Sequence, residues 1–345
     1  MQTSKSIQPD EVRALIQAAP ASHILRLSND EYRDAFITAF LAVYGNINAS
    51  DARKILKRKF LVSADSNFLE NTYLQGASEL SVANYIRKKT TTFSTDKRIN
   101  PENKKDVDVF CKFGTRQISV EVKCAENETN PNGNAFVMRT HGRIPDHQKE
   151  YEKMRTSFGE MNKTIELGKN KDNTLKQFLV EAHDKFNPNS GVDDLNVLFV
   201  ACGDLPDMNN WYGYLHGNQG LFTSDPFHPS KEYCNVDVVI LSNLKYRHEQ
   251  IRNAGDWSLT DTFVLPFVNP HWRSSALAET ITRGLGLFEH HLPAFAKFSP
   301  RTDDPRVPQF VLDMTKVLHF IGEVLSKTDR VRYFPTLPKN WPPTQ

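Results

Sequence analysis

The sequence predicts an α/β chain: a mixed central sheet flanked by helices, with helical additions at both ends. Three observations carry this prediction. Residues 106–113 and 116–124 alternate apolar and polar with period two on either side of Gly114-Thr115, the pattern of a β-hairpin. Val197–Cys202 and Val236–Leu241 are short β-branched apolar runs, the pattern of strands buried on both faces. Around them lie apolar stripes of helical period.

The elements follow in order. Residues 10–19 and 30–44 read as helices. The second begins after Asn29-Asp30, a capping pair, stops at Gly45 and sets Phe36, Ile37, Phe40, Leu41 and Tyr44 on one face. Residues 50–60 and 66–89 read as further helices, with Gly76 marking a break. Residues 125–145, rich in Asn, Pro and Gly, read as a loop, and helical patterns follow at 147–168 and 172–186. The segment 203–235 is long for a loop and carries Trp211, Tyr212 and Tyr214, so it is either functional or hides an element. Residues 308–326 form the clearest helix, whose stripe (Phe310, Val311, Met314, Val317, Leu318, Ile321, Val324, Leu325) suits a core or a dimer surface. This divides the chain into a helical region 1–65, an α/β core 66–245, and a mostly helical region 246–345 ending in a Pro-rich tail.

Composition bounds the function. A chain of 345 residues builds its core without disulfide or metal staples. Cys111, Cys124, Cys202 and Cys234 show no zinc spacing, and Cys111 and Cys202 lie in apolar runs as core residues do. A reducing, cytoplasmic setting is expected. The opening MQTSKSIQPDEV has no apolar leader segment, and no run reaches the length of a membrane span, so no membrane partner is expected. No GxxxxGK[ST] loop is present, which argues against ATP. Asn269-Pro270-His271-Trp272 lacks the second proline and the glycine-rich partner loop of a DNA methyltransferase box.

The net charge of +2 hides strong segregation. Residues 51–60 hold five basic residues and one acidic, and residues 85–105 hold seven basic and two acidic. Residues 181–240 hold nine acidic and two basic. Such blocks are either solvated helix faces or a surface for a phosphate backbone.

The hairpin KDVDVFCKFGTRQISVEVKC decides between them. A two-residue turn at Gly114-Thr115, with Gly first, suits type II′ and fixes the register. Val109 then faces Val120, Val107 faces Val122 and Cys111 faces Ile118, which makes one face apolar. On the other face Asp106 lies opposite Lys123, and Asp108 lies opposite Glu121. Two carboxylates directly across a ladder repel, and a divalent cation between them removes the conflict. Glu121 and Lys123 point the same way, so two acids and an amine converge on one spot.

Asp108 followed by Glu121-Val122-Lys123 on the next strand resembles the PD-(D/E)XK nuclease superfamily, over about residues 66–202 and extending toward 245. The resemblance implies a restriction-endonuclease-like core: a helix, a three-stranded meander, a helix and a further strand. It implies a Mg²⁺-dependent endodeoxyribonuclease, most simply a type II restriction-type enzyme, with Mn²⁺ able to substitute. Asp108, Glu121 and the Val122 carbonyl would be metal ligands. Lys123 would position or deprotonate the attacking water, or stabilise the transition state. Glu79, on the helix before the hairpin, would bind a second cation or a bridging water. Val107 stands where the family often has Pro. Gln148 and Tyr151 are three apart where some members space such a pair by four, which leaves Gln148 a weaker candidate.

The basic blocks then supply the clamp on double-stranded DNA: Lys54, Lys57, Arg58, Arg87, Lys88, Lys89, Lys97, Arg98, Lys104 and Lys105. Segment 203–235 and Asn269–Arg273 are candidates for base recognition by aromatic and polar content. A two-strand cut implies a homodimer, with the 308–326 stripe as its interface. RNA stays open as a substrate. The rival reading is a non-catalytic nucleic-acid-binding or scaffold protein on the same fold.

Overall fold

The computed structural model describes residues 6–65, 68–125, 136–138, 147–160, 165–167, 171–191, 193–250, 254–260, 262–273, 278–299 and 309–328. The Pro-rich tail and most of the 125–145 segment lie outside the described residues.

Helices come first. They are α1 (Pro9–Ala18), α2 (Ile24–Leu27), α3 (Asp30–Tyr44), α4 (Ala49–Phe60) and α5 (Glu70–Lys89). Side chains of Asn29 and Asn48 cap α3 and α4 by accepting the N–H of Tyr32 and Asp51. The five helices share one apolar cluster that includes Phe36, Phe40, Phe60, Tyr73 and Trp257. Gly76 does not break α5, which runs unbroken to Lys89. A Cβ on Gly76 would lie 2.4 Å from the Lys59 carbonyl oxygen, so the glycine lets α4 cross α5 at close range. That crossing brings Lys59 beside Glu79.

The sheet follows. Strands β1 (Thr92–Lys97), β2 (Val107–Phe113) and β3 (Arg116–Cys124) form an antiparallel meander. Two short strands, β4 (Phe136–Met138) and β5 (Ile165–Leu167), pair separately on either side of α6 (His147–Glu160). Then come α7 (Asp172–Lys185), β6 (Leu195–Ala201), α8 (Leu205–His216), β7 (Val238–Ser242), α9 (Leu244–Gln250) and β8 (Val264–Val268). Helices α10 (Ala278–Leu285), α11 (Leu292–Lys297) and α12 (Gln309–Thr328) close the described chain. The six-stranded mixed sheet has the order β1-β2-β3-β6-β7-β8, with β3, β6 and β7 parallel and the outer strands antiparallel. Helix α5 covers one face through Val82, Ala83 and Ile86 against Val109, Cys111 and Val120. The other face carries α7, α8 and α12, with Leu179, Trp211 and Ile321 over Leu198 and Val200.

The hairpin register is the expected one, with Val109 opposite Val120 and Cys111 opposite Ile118. Gly114 takes φ +63°, and Phe113 pairs with Arg116 to close the two-residue turn. Several expectations are corrected. Strand β1 lies inside the basic block 85–105; its polar, charged sequence is what an edge strand carries. The helix expected over 147–168 ends at Glu160, and β5 occupies part of the remainder. The long segment 203–235 hides α8, and its Trp211, Tyr212 and Tyr214 are core residues. The sheet continues past residue 245, since β8 pairs with β7. Part of the α12 stripe packs inside the chain, with Val317, Ile321 and Leu325 buried and Met314, Leu318 and Val324 half-buried against the same cluster. Among the described residues, no helix is long and apolar enough to cross a membrane.

One buried node ties the N-terminal helices to the core. The His248 ring meets the Tyr32 hydroxyl at 2.7 Å and the Ser81 hydroxyl at 2.9 Å. Burial, aided by the charge of Arg247, pushes its pKa down from 6.5 to about 3. The folded chain therefore holds His248 neutral while the unfolded chain takes up a proton in this range. Stability should fall as pH drops from about 6.5 toward about 3, by up to about 1.4 kcal/mol per pH unit. Urea denaturation across that range should show a shallower fall for His248→Gln; an unchanged fall would refute the assignment. Separately, Gly76→Ala should cost about 1–3 kcal/mol through overpacking against α4, read from the urea midpoint.

Candidate active site

The site forms where β2 parts from β3. The last ladder pair is Val109 with Val120. Beyond it the Asp108 side chain, not its backbone, meets β3: Oδ2 accepts the Val122 N–H at 2.7 Å. Val107, expected beside Val122, joins the apolar cluster on the opposite face of the sheet. Asp108 and Glu121 are thus not ladder partners, although they remain close enough for the charge of one to act on the other.

Gln75, one turn before Glu79 on α5, fills the rest of the gap. Its Nε2 donates to the Val122 carbonyl at 2.9 Å and to Glu79 Oε1 at 2.7 Å. Its Oε1 accepts the Cys124 N–H at 2.7 Å. Glu79 Oε2 receives Lys59 Nζ at 2.9 Å, and the same ammonium reaches Asp96 at 2.9 Å. A cavity of about 340 Å³ opens here, lined by Arg58, Lys59, Gln75, Glu79 and Cys124 among others.

The second half of the site faces α7. Glu121 is 1 % exposed; its Oε1 receives Lys185 Nζ at 2.6 Å and Lys123 Nζ at 3.3 Å. Lys123 reaches Glu181 Oε2 at 2.7 Å. It makes no pair with Asp106, which corrects the expected cross-strand pair. Glu121 Oε2 is buried without a hydrogen-bond partner.

The electrostatics follow from burial and neighbours. Burial pushes the Asp108 carboxyl well above its ordinary range, and the charges of Glu121 and Glu79 push it the same way. Burial also raises Glu121, against the pull of Lys185 and Lys123. Burial lowers Lys123, but Glu121 and Glu181 outweigh it and hold the ammonium charged. A lysine so held keeps its proton and is a poor base.

The structure gathers Asp108, Glu121, Val122, Lys123 and Glu79 around one gap. It does not join Gln148 to them: that side chain is exposed on α6 and pairs with Glu152. The proposed base readers at Asn269–Arg273 are committed to the fold. Asn269 donates to the carbonyls of Tyr233 and Val236, and Arg273 pairs with buried Asp237. Sequence reasoning missed Gln75, Lys59, Glu181 and Lys185 as members of the site. The i, i+4 pairs Gln75/Glu79 and Glu181/Lys185 were the available signal.

Among the described residues, no group of three or more His, Cys, Asp or Glu side chains is arranged to hold a metal ion. What is present is two carboxylates and a backbone carbonyl, a set that suits a cation that keeps several of its waters. The orphaned Glu121 Oε2 and Asp108, which closes no ion pair and has one backbone amide as its hydrogen-bond partner, both fit such a cation. Comparison of the chain with family models, curated proteins and solved structures finds no match.

Asp108→Asn keeps an acceptor for the Val122 N–H and removes a half-buried charge facing another. It should raise the thermal midpoint at neutral pH by about 1–2 °C, the effect of about 1 kcal/mol in a chain this size. The sign follows from linkage. The folded pKa of Asp108 is raised, so the wild type loses stability as pH rises through that value. The gain from Asn should vanish at pH values below the ordinary carboxylate range. A lower midpoint for Asp108→Asn at neutral pH would count against a strained carboxylate.

Proposed function

We propose that this chain is a metal-dependent endonuclease that hydrolyses DNA phosphodiester bonds, with a PD-(D/E)XK-like site on a restriction-endonuclease-like core. One observation carries the reading: a buried carboxylate, a half-buried one, a backbone carbonyl and a charged lysine converge where β2 leaves β3, and one carboxylate oxygen there has no partner. A meander, a crossover helix and a parallel strand, in the order the resemblance implies, support the fold assignment.

Asp108, Glu121 and the Val122 carbonyl would hold Mg²⁺, or Mn²⁺ in its place. When bound, the cation supplies an activated water and charge stabilisation at the phosphate. The chain's own residues do the rest. Gln75 fixes the Val122 carbonyl, and Glu79, gripped by Lys59, fixes Gln75; Glu79 thereby acts as a positioning residue. Lys123 presents a fixed positive charge to the phosphate oxygens, and Glu181 sets its direction. A restriction-type cut through both strands takes two such sites, hence two copies of the chain. The two lysines already on Glu121 favour the rival, a non-catalytic nucleic-acid-binding protein that would bind DNA without cutting it.

Supercoiled plasmid with Mg²⁺ separates these. Wild type should nick or linearise it, and EDTA should stop the reaction. Asp108→Asn and Lys123→Ala should each lose about 100-fold or more. Equal cleavage by all three proteins would remove the site assignment, while salt-sensitive binding without cleavage would select the rival. The same assay on RNA decides the substrate.

A further inference from the structure

The cations of the two basic blocks meet different fates. Lys54, Lys57, Lys89 and Lys105 close ion pairs with Asp51, Asp65, Glu289 and Asp184. Lys97 and Arg98 make no ion pair among the described residues, are exposed, and stand together at one cavity. The Lys97 ammonium lies 3.4 Å from the centroid of the Phe110 ring, which holds it in place without neutralising it.

That cavity measures about 240 Å³ and lies between the end of β1, the hairpin strands and the segment after α7. Gln117 and Ser119 line it together with Phe110. Asp194 also lines it, and its Oδ2 accepts the Gly191 N–H at 2.8 Å.

Its position indicates what it takes. Phe110 lies two residues from Asp108 on β2, and Ser119 lies two residues from Glu121 on β3. Two residues of strand span about 7 Å, a distance comparable with one nucleotide step along a nucleic acid strand. A strand whose scissile phosphate sat at Asp108 and Glu121 would bring its neighbouring nucleotide over the cavity. Two cations that close no ion pair outnumber the one lining carboxylate and suit that nucleotide's phosphate, and the Gln117 amide and Ser119 hydroxyl suit a sugar or base edge.

We propose that this cavity is a flanking-nucleotide subsite, in which Lys97 and Arg98 bind the phosphodiester next to the one that is cut. The identity of the ligand rests on the nuclease reading. The test is equilibrium binding of a fluorescein-labelled duplex in EDTA over a salt series. Wild type, Lys97→Gln and Arg98→Gln are compared with the control Lys327→Gln, which alters a lysine paired with Glu323 on α12. Each lost phosphate contact lowers the slope of log K against log salt by about 0.9. Both cavity variants should lose that much and the control nothing. Arg98 is exposed, so its variant keeps the fold, and an unchanged thermal midpoint verifies this. Wild-type slopes in both cavity variants, or no salt-dependent binding by wild type, would overturn the subsite. The two readings fail separately. A protein that cuts plasmid while its cavity variants keep their slope loses only the subsite. One that never cuts, but shows the slope losses, loses the nuclease reading and with it the scissile neighbour, and keeps the cavity as a phosphate-binding site only.

Discussion

The backbone of β3 outruns its partner strand, and the groups left over must be satisfied inside the protein. Val122 and Cys124 sit past the last ladder pair with β2, at a depth where an unpaired N–H or C=O would cost a full hydrogen bond. Two side chains take the place of the missing strand. Asp108 accepts one amide, and Gln75 accepts another while donating to the carbonyl between. Everything at the site hangs on this repair. It draws α5 against the end of the hairpin, aims Glu79 at the gap, and holds the Val122 carbonyl in a single direction. Gly76 serves the same end, because only a close crossing of α4 places Lys59 within reach of Glu79.

The hairpin was legible in the sequence because period and turn act locally. Gly114 dictates the turn, the turn dictates the register up to Val109 opposite Val120, and that register leaves Asp108, Glu121 and Lys123 at the same end of the hairpin. The rest of the site was not legible. Gln75 and Lys185 reach it from helices on opposite faces of the sheet, and nothing in the spacing of residues 75, 121 and 185 encodes that meeting. Each has an i, i+4 partner and therefore reads as an ordinary surface pair. The misread elements share a cause. β1 is a polar edge strand with no apolar period, and α8 lies in a segment whose aromatic residues resembled a binding loop but fill the core.

Charge shows the same gap between pattern and placement. A block sum counts every lysine alike, whereas folding pairs some with acids distant in sequence. Lys89 finds Glu289 and Lys105 finds Asp184. Such exposed pairs add little stability, but they reduce the positive potential that a phosphate backbone would meet. What remains for a partner is the unpaired remainder, and only its location on the folded chain gives that remainder meaning.

The pairing inside the site is as uneven as that outside it. Glu79 has Lys59, Glu121 has Lys185 and Lys123, and Glu181 shares Lys123. Asp108 alone of these acids makes no ion pair; its one hydrogen bond is to a backbone amide. A plain structural hairpin gains nothing from burying such a carboxylate beside another, since an amide would satisfy the same N–H without the charge. The arrangement makes physical sense if a positive charge that the polypeptide does not carry completes it. Among the acids of the cluster, Asp108 is the one that no lysine touches; Lys185 acts on it only from beyond ion-pair distance.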